Sequence, residues 1–324
     1  MRVFLTGGTG FIGGELARLL RARGDEVRAL VRAPGKAGQL RELGCELVDG
    51  DLSDEDALRC ACAGVDAVVH SAAVYEVGVS EAGRERLVDA NVRGTERVLG
   101  AALAAGVLRA VYVSTVAVFG DTRGQVADES WSRAADLGFT STYEQTKVQA
   151  HQRALEIAAG GLELVVVQPG MVYGPGDPSE LGGLFRRFLA GRLPLLPFPE
   201  LGVTPVHRDD VAAGVLLALD KGSSGSSYVL AGEPTTMAGL VAELAQVSGR
   251  RAPRAAVPTG LLKVAAPFGS LLGPLLGFPP NLREVLASSD GVTNWARSDR
   301  AQTELGWTFR PLPDGLRTLL PDAA

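Results

Sequence analysis

Tyr143 and Lys147 stand four residues apart in the segment GFTSTYEQTKVQAHQRALEIAA, residues 138–159, which predicts a long helix with Ser141 or Thr142 near its start as a cap. On a helix that spacing sets the two side chains on one face, a turn apart. A phenol with its ordinary pKa near 10 moves protons poorly at neutral pH. A neighbouring ammonium, joined by the positive ring of an oxidised nicotinamide, favours the phenolate and lowers that pKa. Tyr143 is then suited to give a proton to a carbonyl oxygen as hydride reaches the carbon, or to remove it in the reverse direction. Thr115 offers a hydroxyl that bonds and aligns the same oxygen. Lys147 can also hold the nicotinamide ribose, and no step calls for a metal. Tyr-x-x-x-Lys alone is common on surface helices. Its order in the chain, one strand–helix unit after Ser114-Thr115, is what sharpens it.

These side chains need a frame, and the chain opens with one: MRVFLTGGTGFIG. Val3, Phe4 and Leu5 form a short apolar run that reads as a buried parallel strand. Thr6 opens a tight turn, and Phe11, Ile12, Leu16, Leu19 and Leu20 carry helical spacing. Strand, glycine turn and helix begin a dinucleotide-binding βαβ unit. Gly7 supplies the turn, Gly10 lets the backbone approach a pyrophosphate, and Gly13 lets the helix pack closely. The amides at the helix start, with Thr9, Phe11 and Ile12 beside them, face the anion.

The expected second strand, EVRALV, is followed by Arg32, at the position where such a fold reads the ribose 2′ group. A carboxylate there selects NAD. Arg32 instead offers a fork of donors to a 2′-phosphate, which points to NADP, with NAD still compatible and Arg28 and Lys36 as helpers. The bland alternative is a solvated surface arginine. A third strand over residues 45–48 leads to Asp51 and Leu52, placed to border the adenine. A fourth over 65–70 ends in Ser71-Ala72-Ala73, whose small size leaves space for the nicotinamide half. His70 reads as a packed strand-end residue rather than a catalyst. A helix over residues 81–105 carries Asn91 in its middle, suited to hold a water or a neighbouring backbone group, and Gly94, which permits close packing. Strands over 110–113 and 164–167 follow. Gln168-Pro169-Gly170 and Val172-Tyr173-Gly174-Pro175-Gly176 then mark a departure from the sheet. A strand over 203–206, a helix over 209–219 and a strand over 228–230 return to the core. Residues 261–276 are apolar with one charge, Lys263. They suit a pocket wall better than a membrane-surface helix, because Pro267, Gly269, Gly273 and Pro274 interrupt them.

Of the 324 residues, 46% are hydrophobic and 21% charged, enough to bury a full core. A net charge of −5 with no basic run argues against nucleic acid as the main partner. Cys45, Cys60 and Cys62 read as free thiols in a reducing cytosol. The chain enters its first strand directly, so no signal peptide is expected, and no apolar run of about twenty residues predicts a membrane span.

TGGTGFIG, the Asp51-Leu52 strand end, His70-Ser71-Ala72-Ala73, Asn91-Val92-x-Gly94-Thr95, Ser114-Thr115, Tyr143-x-x-x-Lys147, Val172-Tyr173-Gly174-Pro175 and His207-x-Asp209-Asp210-Val211 together resemble the extended short-chain dehydrogenase/reductase family, the epimerase/dehydratase group. The likeness covers essentially the whole chain. It implies an α/β fold, a Rossmann doubly wound parallel sheet of about seven strands with a smaller, mostly helical C-terminal substrate domain. Residues 1–170 would bind NAD(P), with 203–231 returning to that core, and 171–202 and 232–324 would bind substrate. Thr115, Tyr143 and Lys147 become the catalytic set, with Asn91 a helper. Ser71, Ala72, Ala73, Asn91, Ser114, Pro169, Gly170 and Val172 join the cofactor site. Pairing of core helices implies a homodimer.

Sugar-nucleotide members of the family carry an Asn just before the Tyr-Gly-Pro turn and arginines that hold a diphosphate. Here Gly170 stands near the place of that Asn. Dihydroflavonol-reductase-like and 3β-hydroxysteroid-dehydrogenase-like members, with an Arg after the second strand and an apolar pocket, fit better. Arg186, Arg187, Arg192, Arg208 and Arg283 keep the sugar reading open. The expectation is a cytoplasmic NADP-dependent oxidoreductase acting on a carbonyl or secondary alcohol of a small, fairly apolar molecule. The alternatives are a nucleotide-sugar epimerase or dehydratase with tightly held NAD(P) and, more remotely, a non-catalytic NADP-binding regulator.

Overall fold

The computed structural model describes residues 1–134, 136–260, 263 and 280–320. Short valine-rich runs make the strands β1 (Arg2–Thr6), β2 (Glu26–Val31), β3 (Glu46–Asp49), β4 (Ala67–His70), β5 (Arg109–Val113) and β6 (Glu163–Pro169). Further on come β7 (Met171–Tyr173), β8 (Pro205–His207) and β9 (Ser227–Leu230). Seven of these form one sheet, in the order β9-β6-β5-β4-β1-β2-β3, and every pairing in it is parallel. The strand order reverses at β1, which pairs with β2 on one side and β4 on the other. Thr6 and His70 end β1 and β4 in register, so the crevice where such sheets bind ligands opens beside them.

Both faces of the sheet are covered, which is why its strands are apolar nearly throughout. One face packs α1 (Phe11–Ala22) and the later helix Arg208–Lys221 through Leu16, Leu20, Val211 and Val215. The other face packs α2 (Glu55–Cys62), α4 (Gly94–Ala104) and α5 (Thr142–Ala158) through Leu58, Val98, Leu99, Ala150 and Ala154. Between α2 and α4 comes α3 (Glu81–Leu87). A separate apolar cluster joins Tyr173, Phe185, Phe188, Leu240, Leu244 and Leu316. It gathers α6 (Glu180–Leu189), α8 (Met237–Ser248) and α10 (Leu312–Arg317). The sheet helix Arg208–Lys221 is α7, and α9 is Leu282–Ser289.

Three expected elements differ. The helix over 81–105 is α3 and α4 joined by a π-helical turn, Val88–Arg93, with Asn91 inside it. The helix over 138–159 starts only at Thr142, because Ser141 caps it by accepting from the Glu144 amide. The strand over 203–206 is two pieces. Gly202–Val203 pairs antiparallel with Thr235–Thr236, whereas β8 pairs parallel with β7. Pro205 lacks the N–H needed to continue one ladder through both. The apolar stretch 261–276 lies, except for Lys263, outside the described residues. Among the described residues no helix is long and apolar enough to cross a membrane.

Candidate active site

The turn after β1 is shaped by close backbone approaches. Gly7 has φ +76°, and a Cβ on it would stand 2.7 Å from the Ala72 amide nitrogen. A Cβ on Gly13 would lie 2.1 Å from the Gly7 carbonyl oxygen. Gly13 therefore packs α1 against the turn itself, more than against the strand. Gly10 sits at the N-cap of α1 and brings no side chain to the first helical amides. Thr9 and Gly10 are exposed, and Phe11 and Ile12 are half-buried. A cradle of this shape, with free amides at a helix start, fits a dinucleotide diphosphate.

Side-chain hydrogen bonds tie this turn to the end of β4. The Ala72 amide donates to Thr6 Oγ1 at 3.2 Å, and Thr6 Oγ1 is 2.7 Å from His70 Nδ1. His70 Nε2 is 3.0 Å from Thr95 Oγ1, which itself donates to the Asn91 carbonyl at 2.7 Å. Thr95 has thus spent its hydrogen, so Nε2 carries the imidazole proton and Nδ1 accepts from Thr6. Burial, and then the charge of Lys147, lower the His70 pKa to about 3. His70 is a neutral structural link, as its strand-end position suggested.

Asn91 is a clamp. Its side chain accepts from the Val74 amide at 2.8 Å and donates to the Val74 carbonyl at 3.0 Å and to Thr146 Oγ1 at 3.1 Å. Its amide group grips the loop after β4 and the catalytic-helix candidate together. Gly94 does permit close packing, against Leu52, whose Cδ1 would lie 2.8 Å from a Cβ there.

Tyr143 and Lys147 share the first turns of α5. Lys147 is buried, with Nζ donating to the Tyr112 hydroxyl and the Val113 carbonyl, each at 3.1 Å. The protein's own groups do not lower the Tyr143 pKa. Burial raises it first, Tyr75 and Tyr112 add to the rise, and the Thr115 hydroxyl offsets only part. Lys147 is hydrogen-bonded to Tyr112 and Val113, and its charge is not among the main influences on the Tyr143 hydroxyl. Thr115 is half-buried and accepts from the Ala117 amide at 3.2 Å. Ser114 is engaged elsewhere, its Oγ lying 3.1 Å from His151 Nδ1.

At the far side of the crevice, Arg32 is exposed at the end of β2. Asp51 is held below the usual carboxylate range by hydrogen bonds from Ser53, with Arg32 adding a smaller attraction. Arg28 cannot help Arg32. Its guanidinium donates to the carbonyls of Cys60, Ala61 and Ala63 at the end of α2. Lys36 is exposed in the turn Pro34–Lys36. Ser71 and Ala72 are half-buried and Ala73 is exposed, around the mouth of the crevice. Pro169 is buried at the end of β6, and Val172 is half-buried on β7. Between them, Gly170 would drive a Cβ to 2.2 Å from the Thr204 carbonyl oxygen. No Asn fits there without moving that backbone.

The profile of the NAD-dependent epimerase/dehydratase family matches residues 3–231. The chain belongs to that family. Family relatives include a Synechocystis protein provisionally named dihydroflavonol 4-reductase, 38% identical over 281 residues, which span 82% of this chain and 80% of that one. A second, from Stigmatella aurantiaca, is named a 4-hydroxy-2-methyl-3-oxo-4-farnesyl-3,4-dihydroquinoline-1-oxide ketoreductase. It is 33% identical across 96% of this chain and 92% of its own. The crystal structure of gox2253 superposes with a TM-score of 0.83 at 34% identity, covering 98% and 96% of the two chains. This member of the epimerase/dehydratase family is an NAD(P)-dependent oxidoreductase.

Within the family frame, two features of the crevice escaped sequence reasoning. Tyr75 stands edge-on to Tyr143, ring centroids 4.7 Å apart. It follows the Asn91-gripped Val74 by one residue, but no periodicity marks it. Glu284, on α9, accepts from the Thr142 amide at 2.6 Å and so ties the start of α5 to the C-terminal part. Arg208 lies over the Phe11 ring, 5.2 Å from its centroid, and donates to the Pro175 carbonyl at 3.0 Å. Arg186 donates to the Asp177 carbonyl. Two of the five arginines named for a diphosphate, Arg186 and Arg208, thus have neighbours of their own.

Proposed function

We propose that the chain reduces the carbonyl group of a small, neutral, fairly apolar molecule, with NADPH as the cofactor. The observation that carries this reading is the placement of Tyr143 and Lys147 on one face of α5, with the Thr115 hydroxyl beside Tyr143. A protonated phenol is the form that gives a proton to a carbonyl oxygen. When bound, the nicotinamide supplies hydride to the carbonyl carbon. Tyr143 donates its proton to the oxygen, Thr115 aligns that oxygen, and Lys147 carries positive charge beneath the pair.

Gly7, Thr9, Gly10, Phe11, Ile12 and Gly13 would cradle the diphosphate, and Arg32 would pair with the 2′-phosphate. Asp51 and Leu52 would border the adenine. Ser71, Ala72, Ala73, Ser114, Pro169, Gly170 and Val172 would shape the nicotinamide half. Asn91 acts through the Val74 backbone. The part outside the sheet, with its own apolar cluster, would hold the substrate. The homodimer and the cytoplasmic location rest on the resemblance to extended short-chain enzymes and on three free cysteines.

The test is NADPH oxidation over aliphatic and aryl ketones, run beside thermal shift with UDP-glucose. Ketone-dependent oxidation, with no stabilisation by the nucleotide sugar, is the expected result. Stabilisation by UDP-glucose with no ketone turned over would overturn the reading in favour of an epimerase.

A further inference from the structure

Tyr75 exposes 60% of its surface beside the candidate catalytic phenol. A single exposed aromatic is ordinary on a protein surface; what marks this one is its fixed place against the candidate catalytic phenol. The position of this ring is built. Asn91 clamps both backbone polar groups of Val74, and the Gly78 carbonyl accepts from the Asn281 amide at 2.9 Å. The loop is thus fixed on either side of Tyr75, and the ring meets Tyr143 at 80°.

Two carboxylates lie close enough to act on its hydroxyl. Ionisation of the Tyr75 hydroxyl is opposed first by its protein surroundings and then by the carboxylates of Glu180 and Asp177. Asp177 is buried, with Oδ1 accepting from the Ser179 amide at 2.8 Å, while Oδ2 has no partner among the described residues. The Arg186 guanidinium, donating to the Asp177 carbonyl, sets a cation beside these carboxylates.

We propose that Tyr75 is a specificity-determining residue whose open ring receives the flat apolar face of the substrate next to the carbonyl that Tyr143 protonates. The inference rests on the reductase reading, and its substrate class is neutral aryl or fused-ring ketones.

The test compares the intact protein with Tyr75→Ala and Tyr75→Phe on 2-acetonaphthone and butan-2-one. The preference for the naphthone, as a ratio of kcat/KM values, falls about tenfold in Tyr75→Ala, mainly through KM. Tyr75→Phe, which keeps the ring, restores it. An unchanged ratio in Tyr75→Ala overturns the inference while leaving the reductase reading intact. Thermal shift by 2-acetonaphthone on the NADP⁺-loaded protein gives a readout free of turnover. A shift in wild type and Tyr75→Phe that is absent in Tyr75→Ala supports the inference even if no ketone is reduced, in which case only the reductase reading falls. A shift equal in all three proteins, or absent from all three, overturns it.

Discussion

The glycine turn after β1 and the loop after β4 face each other across the same crevice but are made differently. The turn is fixed by its own backbone, since Gly7 has φ +76° and Gly13 leaves 2.1 Å between an added Cβ and the Gly7 carbonyl oxygen. The loop after β4 is fixed by side chains and backbone groups from elsewhere, with Asn91 holding Val74 and Asn281 meeting Gly78. A backbone-made site tolerates little change and serves one invariant ligand. A site made by distant side chains can be reshaped one contact at a time, which suits a variable substrate.

The sharpest way to separate the two regions is to remove the proposed proton donor alone. Tyr143→Phe should lower kcat about a thousandfold, within the range typical of general acids, with NADPH binding within about twofold of wild type. Steady-state kinetics and cofactor fluorescence titration measure both. Near-normal turnover would remove Tyr143 from the chemistry. The mirror experiment is Gly13→Ala. Its Cβ meets backbone oxygen, which cannot step aside cheaply, so strain of ~1–3 kcal/mol should weaken NADPH by about tenfold to a hundredfold. Fluorescence titration of a folded variant with unchanged affinity would show that the cradle does not bind the diphosphate.

Arg32→Ala tests the cofactor side more finely. Loss of a charge-assisted bond is worth about 1.5–3 kcal/mol, so NADPH should weaken at least about tenfold and NADH by less than about threefold. Equal losses in paired titrations would mark Arg32 as a solvated surface residue.

Acid probes the floor that both regions share. Burial lowers the pKa of His70 to about 3 and of His151 to about 4, with the Lys147 charge contributing to each. Both lie below the unfolded value near 6.5, so the unfolded chain takes up protons that the folded chain refuses. Their contribution is complete above pH 6.5 and is lost as pH falls toward 4 and 3. Between pH 7 and 5, His151→Gln should lose ~1–2 kcal/mol less stability than wild type in urea titrations. Parallel losses would mean that His151 titrates normally in the fold.

What the sequence displayed follows the same division. Strand, turn and helix at the N-terminus and the Tyr143–Lys147 face are local patterns, carried by glycine placement and by periods of two and 3.6. The π-helical turn at Val88–Arg93 was hidden because its α-helical neighbours share its apolar spacing, and only the Asn91–Val74 clamp explains its register. For the Tyr143 pKa, pair spacing shows only which groups are near. It does not show that Tyr112 and Val113 already occupy Lys147, or how dry the site is. Arg28 looked like a partner for Arg32 by proximity along one strand, but it serves the end of α2. Tyr75 and Glu284 reach the site through tertiary contacts that no spacing encodes.

Glu284 gives the smallest and most discriminating test of the contrast. Its carboxylate takes the Thr142 amide at 2.6 Å, one residue before Tyr143, and Asn281 supports it through a 3.2 Å bond to the other oxygen. A negative charge at a helix start is worth about 0.3–1 kcal/mol. Glu284→Gln keeps an acceptor and the shape but discards the charge, so stability should fall by ~0.5–1 kcal/mol in urea titrations. Because α5 carries the proposed proton donor while the proposed diphosphate cradle lies at the start of α1, kcat should drop a few-fold and NADPH affinity should hold. An equal loss of NADPH affinity would mean that the C-terminal anchor also governs the glycine turn, and the two sides of the crevice would then have to be treated as one cooperative unit.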